Sequence, residues 1–423
     1  MNGMKCQGKT VEQAKEMMVD YVEQYQLTLK ERENRKDTIS SEQIGLRFVD
    51  DGEIDECKKE QKGYLWISFI WKDNTYSNTS FAYDKKELEK TIDQLSCFEK
   101  ENITAPKMAY PKYNEEKKAF EIVKEIDGTT VNKEALLEKT ASAIEAGDTI
   151  LNLEKAGCYE NPKWYQDDEE VVKAKDTMNQ YLKSVITYDM DYTKEVVDKE
   201  RTHEWIEMND DCEVSVNRKK VRDFMTWMGK TYNTVGKERP FTTPSGSSIT
   251  VSGGTYGWRL NQEDETDELI KLIKKGEETT RTPLYLEKGL PRDKDGNDLH
   301  DTYIAISILN QTMWYYKNGE CVLSTDVVTG NTSLNRGTPT GVYSIAYKKK
   351  GYTLTGEGYA SKVDFWMPFY EWRGIGIHDA SWRDSFGGNI YKTEGSHGCV
   401  NTPYYAVKRL FEIVEDGTPV VVY

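Results

Sequence analysis

Hydrophobic and polar residues recur with different periods along this chain, and the changes of period outline its elements. Residues 8–36 are highly charged and place apolar residues such as Val11 and Ala14 at helical spacing, which predicts a helix. Further on, the apolar runs become short and alternate, which predicts strands, among them residues 64–70. Asp84 then precedes another helical pattern as a potential N-cap. The first part of the chain therefore predicts mixed α and β structure.

One sequence of elements occurs twice. Residues 120–125 predict a strand, after which a helical pattern ends at Gly147 and a second strand begins at Ile150. A weaker copy with the same order of strand, turn, helix and glycine lies within residues 249–276. The period exceeds 100 residues, whereas solenoid repeats span about 20–50 residues. The pattern therefore predicts two related α+β modules.

The last part of the chain changes to short strands separated by tight turns, with almost no helical pattern before Tyr404. A polar segment rich in Gly, Pro and Asp precedes it at residues 288–298 and predicts a linker. The complete pattern predicts a multidomain protein with an N-terminal helical segment (1–39), a first α+β module with its linker helix (40–184), a second α+β module with its linker (185–298) and a mostly β domain (299–423).

Charge and cysteine content exclude several classes. The net charge of −15 argues against nucleic acid as a partner, because phosphate binding needs a basic surface. No apolar run approaches the roughly 18–20 residues of a membrane span, and the first residues lack the apolar core of a signal peptide. The seven cysteines are scattered without a CxxC pair, which supports neither a zinc ribbon nor a disulfide framework.

The candidate chemistry is concentrated at residues 396–401 and at His378. Cys399 is a potential nucleophile because a nearby imidazole, here that of His378, can convert its thiol into the reactive thiolate. Gly398 allows a tight turn, so that the backbone N–H groups of Gly398 and Cys399 could hold a developing oxyanion. These residue types in this order predict acyl transfer.

Three other chemistries fit the same residues less well. A zinc site of His378, His397 and Cys399 lacks an evident fourth ligand. A serine hydrolase centred on Ser396 lacks the GxSxG-like elbow around the serine. A papain-like protease should carry its cysteine early in the domain with the histidine after it, whereas His378 precedes Cys399.

His378, followed after 17 residues by Ser396-His397-Gly398-Cys399-Val400-Asn401, resembles the signature of the YkuD-type L,D-transpeptidase catalytic domain. The resemblance extends over roughly residues 300–423 and implies a β-sandwich. It also implies a peptidoglycan L,D-transpeptidase that links the third residues of two stem peptides through a cysteine thioester. An L,D-carboxypeptidase and a wall-binding protein with a silent catalytic domain are the alternatives. No cofactor or metal is implied.

The resemblance assigns roles to nine residues. The catalytic group is Cys399, His378, Asp379, Gly398 and His397, and the substrate-binding group is Ser396, Asn401, Trp382 and Tyr359. His378 is the base, and either the carbonyl or the carboxylate of Asp379 orients its ring. His397 shapes the pocket, Ser396 fixes the loop, and Asn401 binds or orders the donor peptide. Trp382 either lines the donor site or supports the loop from the surface. Tyr359 lies in a segment that corresponds to the flexible flap of the family.

The two modules are similar, more loosely, to a peptidoglycan-binding module that precedes some L,D-transpeptidase domains in Gram-positive bacteria, especially at Thr255-Tyr256-Gly257-Trp258. They could equally be spacers, and Tyr256 and Trp258 could be core residues or sugar-stacking residues. The implied partners are the donor tetrapeptide, the acceptor amine and carbapenem inhibitors. We therefore expect a protein that acts outside the cytoplasm at the cell wall, held by an N-terminal membrane anchor that this sequence lacks.

Overall fold

A computed structural model describes residues 8–50, 52, 54–55, 81–356 and 359–423, apart from the side chain of Tyr359. The chain divides into two compact units, residues 1–175 and 176–423. The strand predicted over residues 64–70 lies outside the described residues. Within the described residues, no helix combines the length and the apolar character that crossing a bilayer requires.

The first unit combines helices with small sheets. Its helices are α1 (Val11–Gln24), α2 (Ser41–Ile44), α3 (Lys85–Asp93), α4 (Lys133–Ala146) and α5 (Glu169–Tyr181), the last of which runs into the second unit. Its strands are β1 (Gln26–Lys30), β2 (Lys36–Ser40), β3 (Arg47–Phe48), β4 (Phe81–Ala82), β5 (Tyr110–Asn114), β6 (Ala119–Val123) and β7 (Ile150–Asn152). Strand β1 lies between β2, which is antiparallel to it, and β7, which is parallel to it.

The helix predicted over residues 8–36 is wrong beyond Gln24. Leu27 and Leu29 are fully buried while their neighbours Gln26 and Lys30 are exposed, and this alternation suits a strand with one buried face. Strands β1 and β2 both join the sheet that contains β7. The segment predicted as an N-terminal helix therefore contributes two strands to the sheet of the first module.

Several local predictions are confirmed. The side chain of Asp84 accepts hydrogen bonds from two backbone N–H groups at the start of α3, as an N-cap does. Gly147 ends α4 in the left-handed conformation with φ 73°. The helix of the second module, predicted within residues 249–276, begins at Gln262, where the side chain of Asn261 caps it.

The second unit begins with the elements of the second module. Its helices are α6 (Lys199–Thr202), α7 (Arg218–Tyr232) and α8 (Gln262–Lys275). Its strands are β8 (Val185–Asp189), β9 (Lys194–Val197), β10 (Ile206–Met208), β11 (Val214–Val216), β12 (Arg239–Thr242), β13 (Ser248–Val251), β14 (Arg259–Leu260), β15 (Glu278–Arg281) and β16 (Tyr285–Glu287). Strand β8 lies between β15, which is parallel, and β9, which is antiparallel, so this sheet has the same pattern as the sheet of the first module.

The rest of the second unit is mostly β structure. Its elements are β17 (Tyr303–Ser307), β18 (Thr312–Lys317), β19 (Glu320–Asp326), β20 (Gly341–Ser344), β21 (Lys349–Gly356), β22 (Tyr359–Tyr370), β23 (Ile375–Asp379), β24 (Val400–Thr402), the helix α9 (Tyr404–Ile413) and β25 (Pro419–Val422). One sheet has the strand order β19-β18-β17-β25-β20, and the other has the order β21-β22-β23-β24.

Both sheets and helix α9 share one hydrophobic core. Ile306 and Met313 of the first sheet, Met367 and Ile377 of the second sheet and Leu410 of α9 are all fully buried within it. Burial on this scale is the main contribution that holds such layers together. The predicted multidomain architecture with a C-terminal β-sandwich is confirmed.

The second module packs directly against the sandwich. Gly254 has φ 84°, and a Cβ atom there would lie 2.0 Å from the carbonyl oxygen of Val342, so only glycine permits this approach. The segment 288–298, predicted as a linker, is anchored at this junction. Asp298 is 1% exposed and accepts a hydrogen bond of 3.1 Å from Arg239 Nε. The buried ion pair fixes the end of the segment.

Candidate active site

One edge of the second sheet carries the candidate site. Strands β23 and β24 run parallel there, and His378 lies in register with Asn401. A pocket of about 340 Å³ opens over this edge. Six of the predicted residues line the pocket, namely His378, Trp382, Ser396, His397, Cys399 and Asn401.

The His378 ring is held in one tautomer. It is 2% exposed, and Nδ1 lies 2.7 Å from the backbone oxygen of Asp379. Since a carbonyl oxygen only accepts hydrogen bonds, Nδ1 carries the proton and Nε2 presents its lone pair. Burial lowers the pKa of His378 from its ordinary value, while the Asp379 carbonyl opposes that shift. The ring is therefore a neutral base at neutral pH.

The Cys399 side chain rests as a neutral thiol. Among the described residues its hydrogen-bond partner is the Gly374 carbonyl, which accepts from Sγ at 3.4 Å. Burial raises the pKa of Cys399 to about 11, and the backbone N–H of Gly376 partly offsets that shift. His378 and Cys399 thus share a pocket without a hydrogen bond between them. For the predicted roles of nucleophile and base, the thiol would have to leave Gly374 and give its proton to His378 Nε2.

The turn before Cys399 is fixed by two hydroxyl groups. Ser396 Oγ donates to the Cys399 carbonyl at 2.5 Å and accepts from the Gly398 N–H at 3.0 Å. On the other side, Thr338 Oγ1 donates to the Gly398 carbonyl at 2.8 Å and accepts from the Gly330 N–H at 3.0 Å. Gly398 itself has φ 121°, which L side chains rarely adopt. Its N–H is engaged by Ser396, so its role as an oxyanion donor stays a prediction that requires this bond to open.

Asp379 uses its two oxygen types for different tasks. Its backbone carbonyl orients the His378 ring, whereas its carboxylate accepts the backbone N–H groups of Asp364 and Phe365, both at 2.9 Å. The carboxylate is buried, and its bonds tie the middle of β22 to the end of β23. Of the two possibilities open from the sequence, the carbonyl is therefore the group that holds the imidazole.

The remaining pocket residues differ in exposure. His397 is exposed, and its Nε2 lies 2.5 Å from Arg336 Nη1. Asn401 is 3% exposed, and its Oδ1 has no hydrogen-bond partner among the described residues. Trp382 is half exposed with its ring 5.8 Å from that of His378. Asn401 and Trp382 are thus free to contact a ligand in the pocket.

One predicted site residue is not described by the structure, and several residues that contact the site were not predicted. The side chain of Tyr359 lies outside the described residues. Sequence reasoning missed Thr338, Arg336 and the Gly374 carbonyl, all of which contact the motif from 25 to 61 residues away. Trp366 also lines the pocket, because alternate residues of β22 face opposite sides of the sheet. No local sequence signal marks these contacts.

The geometry gives no support to a zinc site in this pocket. In the described part of the chain, the side chains that bring potential metal-ligand atoms within 4.8 Å of one another are Glu31, Asp37 and Cys97 in the first unit. A larger depression of about 660 Å³ in the second unit is lined by residues such as Thr242 and Asp298 and contains no cysteine. The pocket over Cys399 therefore remains the candidate active site.

Comparison with known families matches both parts of the chain. The family model of the L,D-transpeptidase catalytic domain, YkuD, matches residues 301–422. The model described as "Putative peptidoglycan binding domain" matches residues 38–150 and 164–281. No functionally curated protein matches the chain.

Several solved structures are similar in sequence. A cysteine-to-serine mutant of the Enterococcus faecium L,D-transpeptidase is 37% identical, with 59% of this chain and 98% of that chain covered and a TM-score of 0.47. The catalytic domain of the E. faecium L,D-transpeptidase acylated by ertapenem is 46% identical, with 30% of this chain and 100% of that chain covered and a TM-score of 0.28. An L,D-transpeptidase from Mycobacterium tuberculosis is 21% identical, with 29% of this chain and 57% of that chain covered and a TM-score of 0.26.

Proposed function

Because this chain belongs to the L,D-transpeptidase family, with a YkuD catalytic domain behind peptidoglycan-binding domains, we propose that it cross-links peptidoglycan stem peptides through a thioester on Cys399. The observation that carries this proposal is the shared pocket of Cys399 and His378, in which the Asp379 carbonyl leaves His378 Nε2 as the proton acceptor. The cross-link joins the third residues of two stems.

The first half-reaction acylates the enzyme. The Cys399 thiol leaves the Gly374 carbonyl, His378 Nε2 takes its proton, and the thiolate attacks the carbonyl of the third residue of a donor tetrapeptide. The C–N bond to the terminal D-alanine breaks, His378 returns the proton to the leaving amine, and a thioester remains. The backbone N–H of Cys399 has no acceptor among the described residues and is directed to the oxyanion in this proposal.

The second half-reaction transfers the acyl group. An amine of a neighbouring stem attacks the thioester, and His378 again accepts the proton while Cys399 leaves as the thiol. If water attacks instead, the product is a shortened stem and the enzyme acts as an L,D-carboxypeptidase. Carbapenems acylate Cys399 by the first half-reaction, as ertapenem has acylated the catalytic domain of the E. faecium relative.

Side chains around the pocket suit a peptide donor. The unpaired Oδ1 of Asn401 can accept an N–H of the stem, and the exposed face of Trp382 can cover its apolar part. Arg336 holds His397 at the rim of the pocket. In this proposal, the substrate-binding groups are the Oδ1 atom of Asn401 and the exposed ring face of Trp382.

The modules before the sandwich act, in this proposal, as peptidoglycan-binding domains that place the enzyme outside the cytoplasm at the cell wall. Tyr256 and Trp258 are 4% and 7% exposed and belong to the interior of the second unit. They therefore do not provide a sugar-stacking surface, and glycan contacts must come from other residues of the modules.

The test is the intact mass of the protein after incubation with a disaccharide-tetrapeptide. We expect an adduct that lacks one D-alanine and is absent in Cys399→Ala. Cys321→Ala is the matched control, because Cys321 is an exposed free cysteine of the same domain and should leave the adduct unchanged. Adding an acceptor stem should convert the adduct into a cross-linked dimer, whereas release of tripeptide alone would indicate a carboxypeptidase. A dimer formed by Cys399→Ala would refute the assignment.

A further inference from the structure

Three potential metal ligands meet in the first unit, far along the sequence from the catalytic motif. Glu31 follows β1, Asp37 lies in β2, and Cys97 lies in a single 3₁₀ turn at Ser96–Phe98. One ligand atom from each residue lies within 4.8 Å of the other two. The group thus combines two carboxylates and a thiol from three separate segments.

The Glu31 carboxylate is buried and accepts no hydrogen bond from the described residues. Its side chain is 0% exposed, and neither of its oxygen atoms has a hydrogen-bond partner among the described residues. Arg35 Nε lies 3.8 Å from Oε2, which is an ion-pair distance but too long for a hydrogen bond. A buried carboxylate in this position needs either a proton or a cation.

The other two groups are held in place around it. Ser96 donates to Asp37 Oδ2 through both its backbone N–H and its hydroxyl, at 2.7 and 3.0 Å. Hydrogen bonds of this kind orient ligating carboxylates in metal sites, and here they also tie the Cys97 turn to β2. Cys97 is 1% exposed, so its thiol lies in the interior of the first unit. A thiolate at this position would need a positive charge beside it.

We propose that Glu31, Asp37 and Cys97 bind a divalent transition-metal ion of the zinc class, with a water molecule as the fourth ligand, and that the ion fastens the β1–β2 hairpin to the Cys97 turn. A thiolate beside two carboxylates suits zinc or a similar borderline ion better than calcium or magnesium, which select oxygen ligands. Binding breaks the S–H bond of Cys97 and releases the proton to the buffer. Three anionic ligands and a dication leave one negative charge, which the Arg35 guanidinium offsets.

The test uses the full chain in the Cys399→Ala background, so that the thiol near His378 and His397 does not contribute. Reduced protein is titrated with zinc by calorimetry and with cadmium by absorption, because cadmium bound to a thiolate gives a charge-transfer band. We expect one zinc per chain, a cadmium band, and a rise in melting temperature with zinc. Cys97→Ala should abolish the band and weaken zinc binding at least roughly 10- to 100-fold, since changes even to outer-shell partners have that effect.

Two further variants keep the test decisive if Cys97→Ala fails to fold. Glu31→Gln keeps the shape of the side chain and should weaken zinc binding to a similar extent. Cys158→Ala removes another buried free cysteine of the same unit and should leave zinc binding and the band unchanged. Absence of zinc binding, or a band that persists without Cys97, overturns the proposal. Absence of zinc binding would indicate that Glu31 and Asp37 share a proton instead.

Discussion

Thr338 offers a sharp test of how the cysteine turn is held. Its hydroxyl is buried and bridges two backbone groups, donating to the Gly398 carbonyl and accepting from the Gly330 N–H. Thr338→Val keeps the volume of the side chain and removes only these bonds. Both backbone groups then lose their partner in the interior, which we expect to lower the free energy of unfolding by about 2–4 kcal/mol.

Two assays measure the consequences of Thr338→Val. At roughly 2–4 °C per kcal/mol for a unit of this size, the melting temperature should fall by roughly 4–16 °C. The rate of Cys399 acylation by a carbapenem, followed by intact mass below the new melting temperature, should fall on the order of 100-fold if the turn moves by about 1 Å. Thr338→Ser retains the hydroxyl and should recover most of the melting temperature and most of the acylation rate.

The control for that experiment is Thr140→Val in the first unit. Thr140 is also fully buried, but its hydroxyl has no hydrogen-bond partner among the described residues. Its replacement should therefore leave stability equal or higher and acylation unchanged. If Thr338→Val acylates at the wild-type rate with an unchanged melting temperature, the Thr338 hydroxyl does not support the turn and the reasoning fails.

Three further perturbations follow from the site and its supports. Alkylation of Cys399 by neutral iodoacetamide should rise with pH up to about pH 11, because the pKa of this thiol is raised to about that value. A plateau near pH 7 would reveal a resting thiolate. Asp379→Asn keeps an oxygen acceptor for the two N–H groups of β22, whereas Asp379→Ala does not. Acylation should therefore be more than 10-fold faster in Asp379→Asn, since about 1.4 kcal/mol corresponds to about 10-fold in rate. Equal rates would show that the carboxylate does not position the site. Gly254→Ala should lower the melting temperature of the second unit far more than Gly246→Ala in differential scanning calorimetry, since both have φ near 85° but only Gly254 abuts Val342.

The sequence predicted which residues gather in the pocket better than it predicted the contacts that hold them there. His378 and the residues around Cys399 are close in the chain, and their types alone indicate a nucleophile and a base. The choice between the Asp379 carbonyl and carboxylate depends on the pairing of β22 with β23, which no local pattern reveals. Thr338 likewise contacts Gly398 across 60 residues. Contacts of this kind arise only once the strands have paired.

The fold shows the same division between local and distant information. The caps at Asp84 and Gly147 were predictable because a cap acts within one turn of helix. The helix predicted over residues 8–36 continued too far because the alternation at Leu27 and Leu29 is brief, and it becomes decisive only when β7 pairs with β1 from more than 100 residues away. Tertiary pairing overrode the helical spacing of the preceding residues.

Strand β25 has a consequence for the order in which the enzyme becomes competent. It follows Cys399 in the chain, yet it lies inside the first sheet, parallel to β17 and antiparallel to β20. Until Pro419–Val422 arrives, those two strands have no hydrogen-bonded neighbour between them, and the core beneath the second sheet stays open. The pocket around Cys399 therefore depends on a strand that lies beyond the motif in the chain. We expect a variant that cannot place Pro419–Val422 in the first sheet to lose the site together with the core.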